Sequence, residues 1–105
     1  MATQAKLSDY GISVGTLPSG PLGKISDVPG VTVGHCTVDT QTQKTGVTVV
    51  MPCADDMFAQ KLPAAACVLN GFGKTAGLVQ IGELGTLETP IALTNTLNVG
   101  LVYDA

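Results

Sequence analysis

The 105-residue sequence has no arginine, no tryptophan, a single histidine and four aromatic side chains. Without arginine, the planar two-pronged grip on phosphate or carboxylate is missing from this chain. Its five cationic residues are lysines scattered from Lys6 to Lys74, and the formal net charge is −3. That balance excludes a basic patch for nucleic acid or for an anionic membrane surface. Charged residues make up only 12% of the chain, about half the usual share of a soluble domain. The longest apolar run, residues 64–69, falls far short of the ~20 residues that cross a bilayer. Residues 1–10 lack the apolar stretch of a secretory signal, so a cytoplasmic location is expected. The three cysteines, Cys36, Cys53 and Cys67, form no Cys-x-x-Cys pair. Neither a disulfide framework nor a zinc site follows from that spacing, and Cys67, inside Ala-Ala-Ala-Cys-Val-Leu, reads as a small buried hydrophobe.

What is present is 45% hydrophobic residues, 13 glycines and 13 threonines. This excludes intrinsic disorder. The length bounds the chain at one domain or part of one. So few charges suit a piece of something larger, whose strands are covered by other polypeptide.

Residues 1–24 show no periodicity and read as an arm. Residues 25–105 read as the body, expected to be an incomplete domain. Ile25-Ser-Asp-Val-Pro-Gly30 is a turn into a strand that alternates Val31, Val33, His35 and Thr37 with Thr32, Gly34, Cys36 and Val38. After a polar turn over residues 39–45, Gly46-Val-Thr-Val-Val-Met51 is a second strand, so an antiparallel hairpin is predicted. The continuous run 64–69, stopping at Asn70-Gly71, predicts a strand buried on both faces. Residues 75–84 predict a short helix stopped by Gly85, and Pro90-Ile-Ala-Leu-Thr-Asn95 predicts a fourth strand. Asn98 is placed to cap a terminal helix carrying Val99, Val102 and Tyr103. That helix is barely two turns long at Ala105, and the chain is expected to be cut within an element.

Several groups could carry chemistry. Gly71-Phe-Gly-Lys-Thr-Ala76 fits a loose dinucleotide pattern between a strand and a helix. The acidic partner that pattern requires should end the next strand, whereas Glu88 precedes it, so a plain Gly-rich turn is preferred. His35 and Cys36 point to opposite faces of a strand and cannot form a dyad; His35 reads as a hydrogen-bonded structural residue. Asp55 and Asp56 read as solvated. Glu83 and Glu88 could hold a substrate amine or serve as surface and capping carboxylates. In Thr94-Asn-Thr-Leu-Asn-Val-Gly100, Asn95, Thr96 and Asn98 lie where a strand ends and a helix begins. Such polar groups either line a crevice, where amides bind a carbonyl or an oxyanion, or satisfy the turn and cap backbone.

Four blocks occur in order: Ile25-Ser-Asp-Val-Pro-Gly-Val-Thr-Val-Gly-His35, Thr45-Gly-Val-Thr-Val-Val-Met-Pro52, Val68-Leu-Asn-Gly71 and Glu83-Leu-Gly-Thr-Leu-Glu-Thr-Pro-Ile-Ala-Leu-Thr-Asn-Thr96. Together they resemble the N-terminal part of the DmpA-type aminopeptidases, which include the L-aminopeptidase/D-esterase/amidases and the β-peptidyl aminopeptidases. The resemblance implies an α/β (α+β) fold, part of an αββα four-layer sandwich of N-terminal-nucleophile type. It also implies a precursor that cleaves itself before a Ser or Thr, whose freed amine then serves as local base. Such enzymes work as oligomers of processed heterodimers on short peptides, amides or esters. Their nucleophile, oxyanion asparagine and amine-binding acids lie beyond the region matched, so no catalytic residue is carried onto this chain. No metal or cofactor is expected. The expected contribution is structural, with Asn95, Thr96 and Asn98 as candidate substrate-binding residues in a pocket wall. The remaining precursor is the expected partner. A non-catalytic scaffold and, behind it, a small nucleotide-binding domain are the competing readings.

Overall fold

The computed structural model describes residues 5–105. Its elements are β1 (Thr32–Asp39), β2 (Lys44–Met51), β3 (Leu62–Pro63), α1 (Leu78–Leu84), β4 (Thr86–Leu87), β5 (Ile91–Leu93) and α2 (Val99–Asp104). Single 3-10 turns at Leu7–Tyr10 and Ile25–Asp27 precede them. The class is the mixed α/β expected, with antiparallel sheets and more strand than helix.

The hairpin forms as its alternation predicts. β1 and β2 pair in antiparallel register from Thr32↔Met51 to Asp39↔Lys44. The connection is shorter than the polar stretch suggested, because Thr40 closes it. Its hydroxyl accepts from the Gln43 N–H at 2.9 Å and the Thr42 N–H at 3.3 Å, while its own N–H donates to the Gln43 carbonyl at 2.8 Å. Such hydroxyl-to-backbone bonds are the ordinary means of holding a turn. Asp39 and Lys44 pair across the hairpin end on the exposed surface, where an ion pair adds little.

β5 docks on the other edge of β2 through Thr48↔Leu93, Val49↔Ala92 and Val50↔Ile91, giving the order β1-β2-β5. The central strand is therefore the most shielded. Val50, only 8% exposed, lies in a cross-strand row with Val33 and Ile91. Burying a valine in this way stabilises by about 2 kcal/mol. Met57, in the loop after β2, is the other buried apolar side chain among the described residues. At the entrance to β1, Asp27 accepts from the Leu22 N–H at 3.1 Å and the Lys24 N–H at 3.1 Å, which fixes the turn before the first strand.

The second sheet is small. β3 and β4 pair only through Leu62↔Leu87 and Pro63↔Thr86, extended by the Ala64 N–H donating to the Gly85 carbonyl at 2.9 Å. Here the structure corrects the sequence reading of residues 64–69. Beyond Ala64 the run has no ladder partner among the described residues, Val68 is 65% and Leu69 94% exposed, and Cys67 is exposed rather than buried. Gly85 turns away into α1 at φ +65° as its C-cap, so β4 cannot follow β3 any further. The predicted helix over 75–84 starts only at Leu78, and its stop at Gly85 is where the sequence placed it. No described helix is long and apolar enough to cross a membrane.

Candidate functional site

β5 delivers the strand-end cluster. Continuing past Leu93, Thr94 Oγ1 donates to the Gly46 carbonyl at 3.4 Å, and Asn95 Nδ2 donates to Thr45 Oγ1 at 2.7 Å. Both contacts tie the end of β5 to the start of β2. Asn95 Oδ1 then accepts from the Leu97 N–H at 3.1 Å and the Asn98 N–H at 3.2 Å. A side chain that folds back onto backbone two and three residues ahead is what asparagine supplies in turns. Asn95 thus bends the chain from β5 into α2.

Asn98 departs from its expected part. It stands at the N-cap position of α2, but its backbone (φ −104°, ψ 8°) is outside the extended region and its side chain makes no capping bond. An effective cap needs extended backbone to aim its oxygen at the first helical N–H groups. Asn98 instead contributes its carbonyl, which accepts from the Val102 N–H at 3.0 Å. Among the described residues, no hydrogen bond is formed by the Thr96 hydroxyl or the Asn98 side-chain amide. Thr96 is exposed and Asn98 half-buried. The structure therefore brings the three candidates into one turn. It commits Asn95 to shaping that turn and leaves the other two polar groups uncommitted. The cluster holds no titratable group, so it can donate and accept hydrogen bonds but cannot itself move a proton.

The other candidates resolve differently. His35 Nδ1 and Thr48 Oγ1 share a hydrogen bond at 2.8 Å across β1 and β2, consistent with a structural histidine. Asp56 is exposed but not merely solvated, because its carboxylate accepts from the Phe58 N–H at 3.0 Å and the Ala59 N–H at 3.3 Å. The segment 71–76 lies exposed with no strand before it, and α1 opens at Gly77 in a left-handed conformation. The strand–turn–helix setting of a dinucleotide site is therefore missing. No group of three or more His, Cys, Asp or Glu among the described residues is placed to hold a metal ion.

Sequence reasoning missed a network around Glu88. One carboxylate oxygen accepts from Lys61 Nζ at 2.7 Å, and the other accepts from Gln80 Nε2 at 2.6 Å. Lys61 also donates to the Phe58 carbonyl at 2.8 Å and sits 4.1 Å from the centre of that ring. The register Leu62↔Leu87 places Lys61 directly opposite Glu88 in the β3–β4 ladder, an arrangement that stabilises paired strands. Gln80 and Glu88 line an open cleft of about 160 Å³ between α1 and residues 86–92. Both Glu88 oxygens are engaged within the chain, which argues against Glu88 as the holder of a substrate amine. Glu83 is exposed and has no polar partner among the described residues.

The Lys61 ammonium, helped by the Gln80 amide and opposed by partial desolvation, lowers the Glu88 pKa below its ordinary 4.5. A carboxyl with a lowered native pKa stabilises the fold fully above its ordinary value. It loses that contribution as the pH falls through the native value. Lys61→Met should therefore lower the thermal midpoint at pH 7, and the gap from wild type should shrink below pH 4.5. Melting curves of both proteins from pH 7 to pH 3 check this.

A match to peptidase family S58 spans residues 23–105. The chain is 37% identical over 106 residues to the β-peptidyl aminopeptidase BapA of Sphingosinicella xenopeptidilytica, covering 92% of this chain and 26% of that protein. It is 32% identical to the BapA of Sphingosinicella microcystinivorans, with the same coverage. The chain therefore spans about a quarter of the length of the curated relatives it matches. Among solved structures, a Burkholderia sp. β-aminopeptidase superposes with a TM-score of 0.86 at 44% identity, over 95% of this chain and 30% of that one. The PH0078 protein from Pyrococcus horikoshii OT3 superposes with a TM-score of 0.85 at 41% identity, over 95% and 31%. The motif blocks, the antiparallel architecture and the family match converge: the chain belongs to peptidase family S58, the family of the DmpA-type aminopeptidases that its sequence resembles.

Proposed function

We propose that this chain is the N-terminal structural portion of a self-processing aminopeptidase with amidase or esterase capacity. The whole protein releases N-terminal amino acids from short peptides, amides or esters. The chain supplies strands of an αββα sandwich and one wall of the substrate pocket. The nucleophile comes from the remaining part of the same precursor, and the processed heterodimers assemble into a homo-oligomer in the cytoplasm. Within the wall, Asn95 holds the turn while Thr96 and Asn98 offer hydroxyl and amide groups to the substrate backbone. No metal or cofactor takes part.

The observation that carries this reading is the strand-end turn itself, anchored to β2 by Thr94 and Asn95 and presenting two uncommitted polar side chains. Polar groups held at strand ends suit the positioning of a carbonyl for attack. Hydrolysis of an aminoacyl p-nitroanilide tests the reading. The native species that contains this chain should release p-nitroaniline, and the isolated 105-residue chain should release none. Turnover by the isolated chain would place the nucleophile within it. No turnover by the native species would favour the non-catalytic scaffold.

A further inference from the structure

β5 carries the strand-end cluster, yet it is a slight element. Its three residues, Ile91–Leu93, pair with β2 alone among the described residues, and all three are exposed within this chain. Register is firmly set where one face of a strand is buried, and a slip of one residue turns every side chain to the other face. Three exposed residues set it weakly. A slip would carry Thr94 and Asn95 off Gly46 and Thr45 and would move Thr96 and Asn98 with them. The bonds of Thr94 and Asn95 pin the far end of β5. Its near end needs a pin of its own.

Glu88, three residues before Ile91, supplies it. Lys61 holds one carboxylate oxygen and Gln80 the other, so one side chain joins the segment before β3, α1 and the approach to β5. The side chains of Lys61 and Glu88 are 35% and 20% exposed, against 71% and 65% for Lys44 and Asp39. Solvent and salt therefore screen this pair less than the one at the hairpin end. Lys61 is in turn referred back to β2 by the loop between them. Met57 is buried there, and Asp56 shapes the turn, its carboxylate accepting from the Phe58 and Ala59 N–H groups and its carbonyl from the Gln60 N–H at 2.8 Å. Phe58 then presents its carbonyl and its ring face to Lys61. The path closes on itself: from β2 through residues 52–61 to Lys61, across to Glu88, and along β5 back to β2.

We infer that Glu88 is a positioning residue for the strand-end cluster: gripped by Lys61 and Gln80, it fixes the entry of β5 and thereby where Thr96 and Asn98 stand. Both its oxygens are engaged, so it acts through β5 and not on the substrate. This inference rests on the function proposed above, in which Thr96 and Asn98 meet the substrate, and the experiment separates the two.

Glu88→Gln, Lys61→Met and Lys61→Arg are made in the native species that contains this chain. For each, kcat and KM with an aminoacyl p-nitroanilide are measured well below the melting midpoint. Glu88→Gln and Lys61→Met should each lower kcat roughly tenfold with KM nearly unchanged, because misplaced positioning groups are missed chiefly in the transition state. Lys61→Arg keeps a cation for Glu88 and Phe58, and should hold kcat within about threefold of wild type. In a Thr96→Ala/Asn98→Ala background, Glu88→Gln should cost no further activity, since the groups it positions are gone. Amide exchange over residues 91–98, read alongside, should rise roughly tenfold in Glu88→Gln. If Glu88→Gln does not fold, Lys61→Met decides by the same criteria. A lowered melting midpoint with unchanged kcat in folded protein overturns the inference and leaves the peptidase reading standing. Additive losses in the triple variant overturn it as well. Faster exchange at residues 91–98 in a species that cleaves no aminoacyl p-nitroanilide removes the peptidase reading and leaves the pin on β5.

Discussion

Gly46→Ala should destabilise the native protein by about 2–3 kcal/mol, the cost of forcing an extra methyl into packed surroundings. A Cβ at this position would overlap the Cys36 carbonyl oxygen and lie 3.2 Å from Thr37 Cα. Both obstacles are backbone atoms of the neighbouring strand, so no side-chain rotation relieves them. Gly46 also accepts the Thr94 hydroxyl through its carbonyl, so a shift of β2 away from β1 would disturb the β5 connection as well. The thermal midpoint should fall by only a few degrees, because the shift per kcal/mol shrinks as the protein grows. Gly34→Ala is the matched control. It lies in β1 with nothing within 4 Å of the added methyl, and should change stability by no more than about 0.5 kcal/mol. Urea unfolding of the three proteins, compared at their midpoints, distinguishes a local clash from a general intolerance of alanine in this sheet.

The second large effect is expected at Asn95. Asn95→Ala removes the acceptor for the Leu97 and Asn98 N–H groups and the donor to Thr45. The turn that orients Thr96 and Asn98 is then left with the Thr94 hydroxyl bond to Gly46 as its side-chain support. On the proposed function, kcat/KM of the native enzyme should drop roughly 100-fold, the scale of loss that follows small misplacements of positioning groups. Asn95→Asp retains the acceptor for both N–H groups and keeps the Thr45 contact with its direction reversed, the hydroxyl donating to the carboxylate, so it should recover most of the activity. Thr45→Val, which does remove the contact with Asn95, should lose more activity than Asn95→Asp and less than Asn95→Ala. Equal losses for alanine and aspartate would show that the turn is not what Asn95 provides.

Much of the first sheet was legible in the sequence because its signals are local. Alternating β-branched residues around Val33 and Val49 set the hairpin, and β5 followed from Pro90-Ile-Ala-Leu. Gly85 marked the end of α1. What could not be read depends on partners distant along the chain. Residues 64–69 announce burial on both faces but not what buries them, and nothing described in this chain does so. The Lys61–Glu88 pair spans 27 positions and becomes visible only once Leu62 is set opposite Leu87. The strand-end cluster was found from its composition, yet its division of labour was not. Asn95 and Asn98 both fit a turn or cap signature, and only the backbone angles at Asn98 show that Asn95 supplies the turn bonds.

The central claim is that this chain is a structural portion of a larger S58 hydrolase. The most direct test is native mass spectrometry of the species purified from its own cells, with denatured intact masses recorded alongside. The account predicts that the sequence occurs within, or tightly bound to, polypeptide matching the remainder of the curated relatives. A native species made only of 10.6 kDa chains would contradict it.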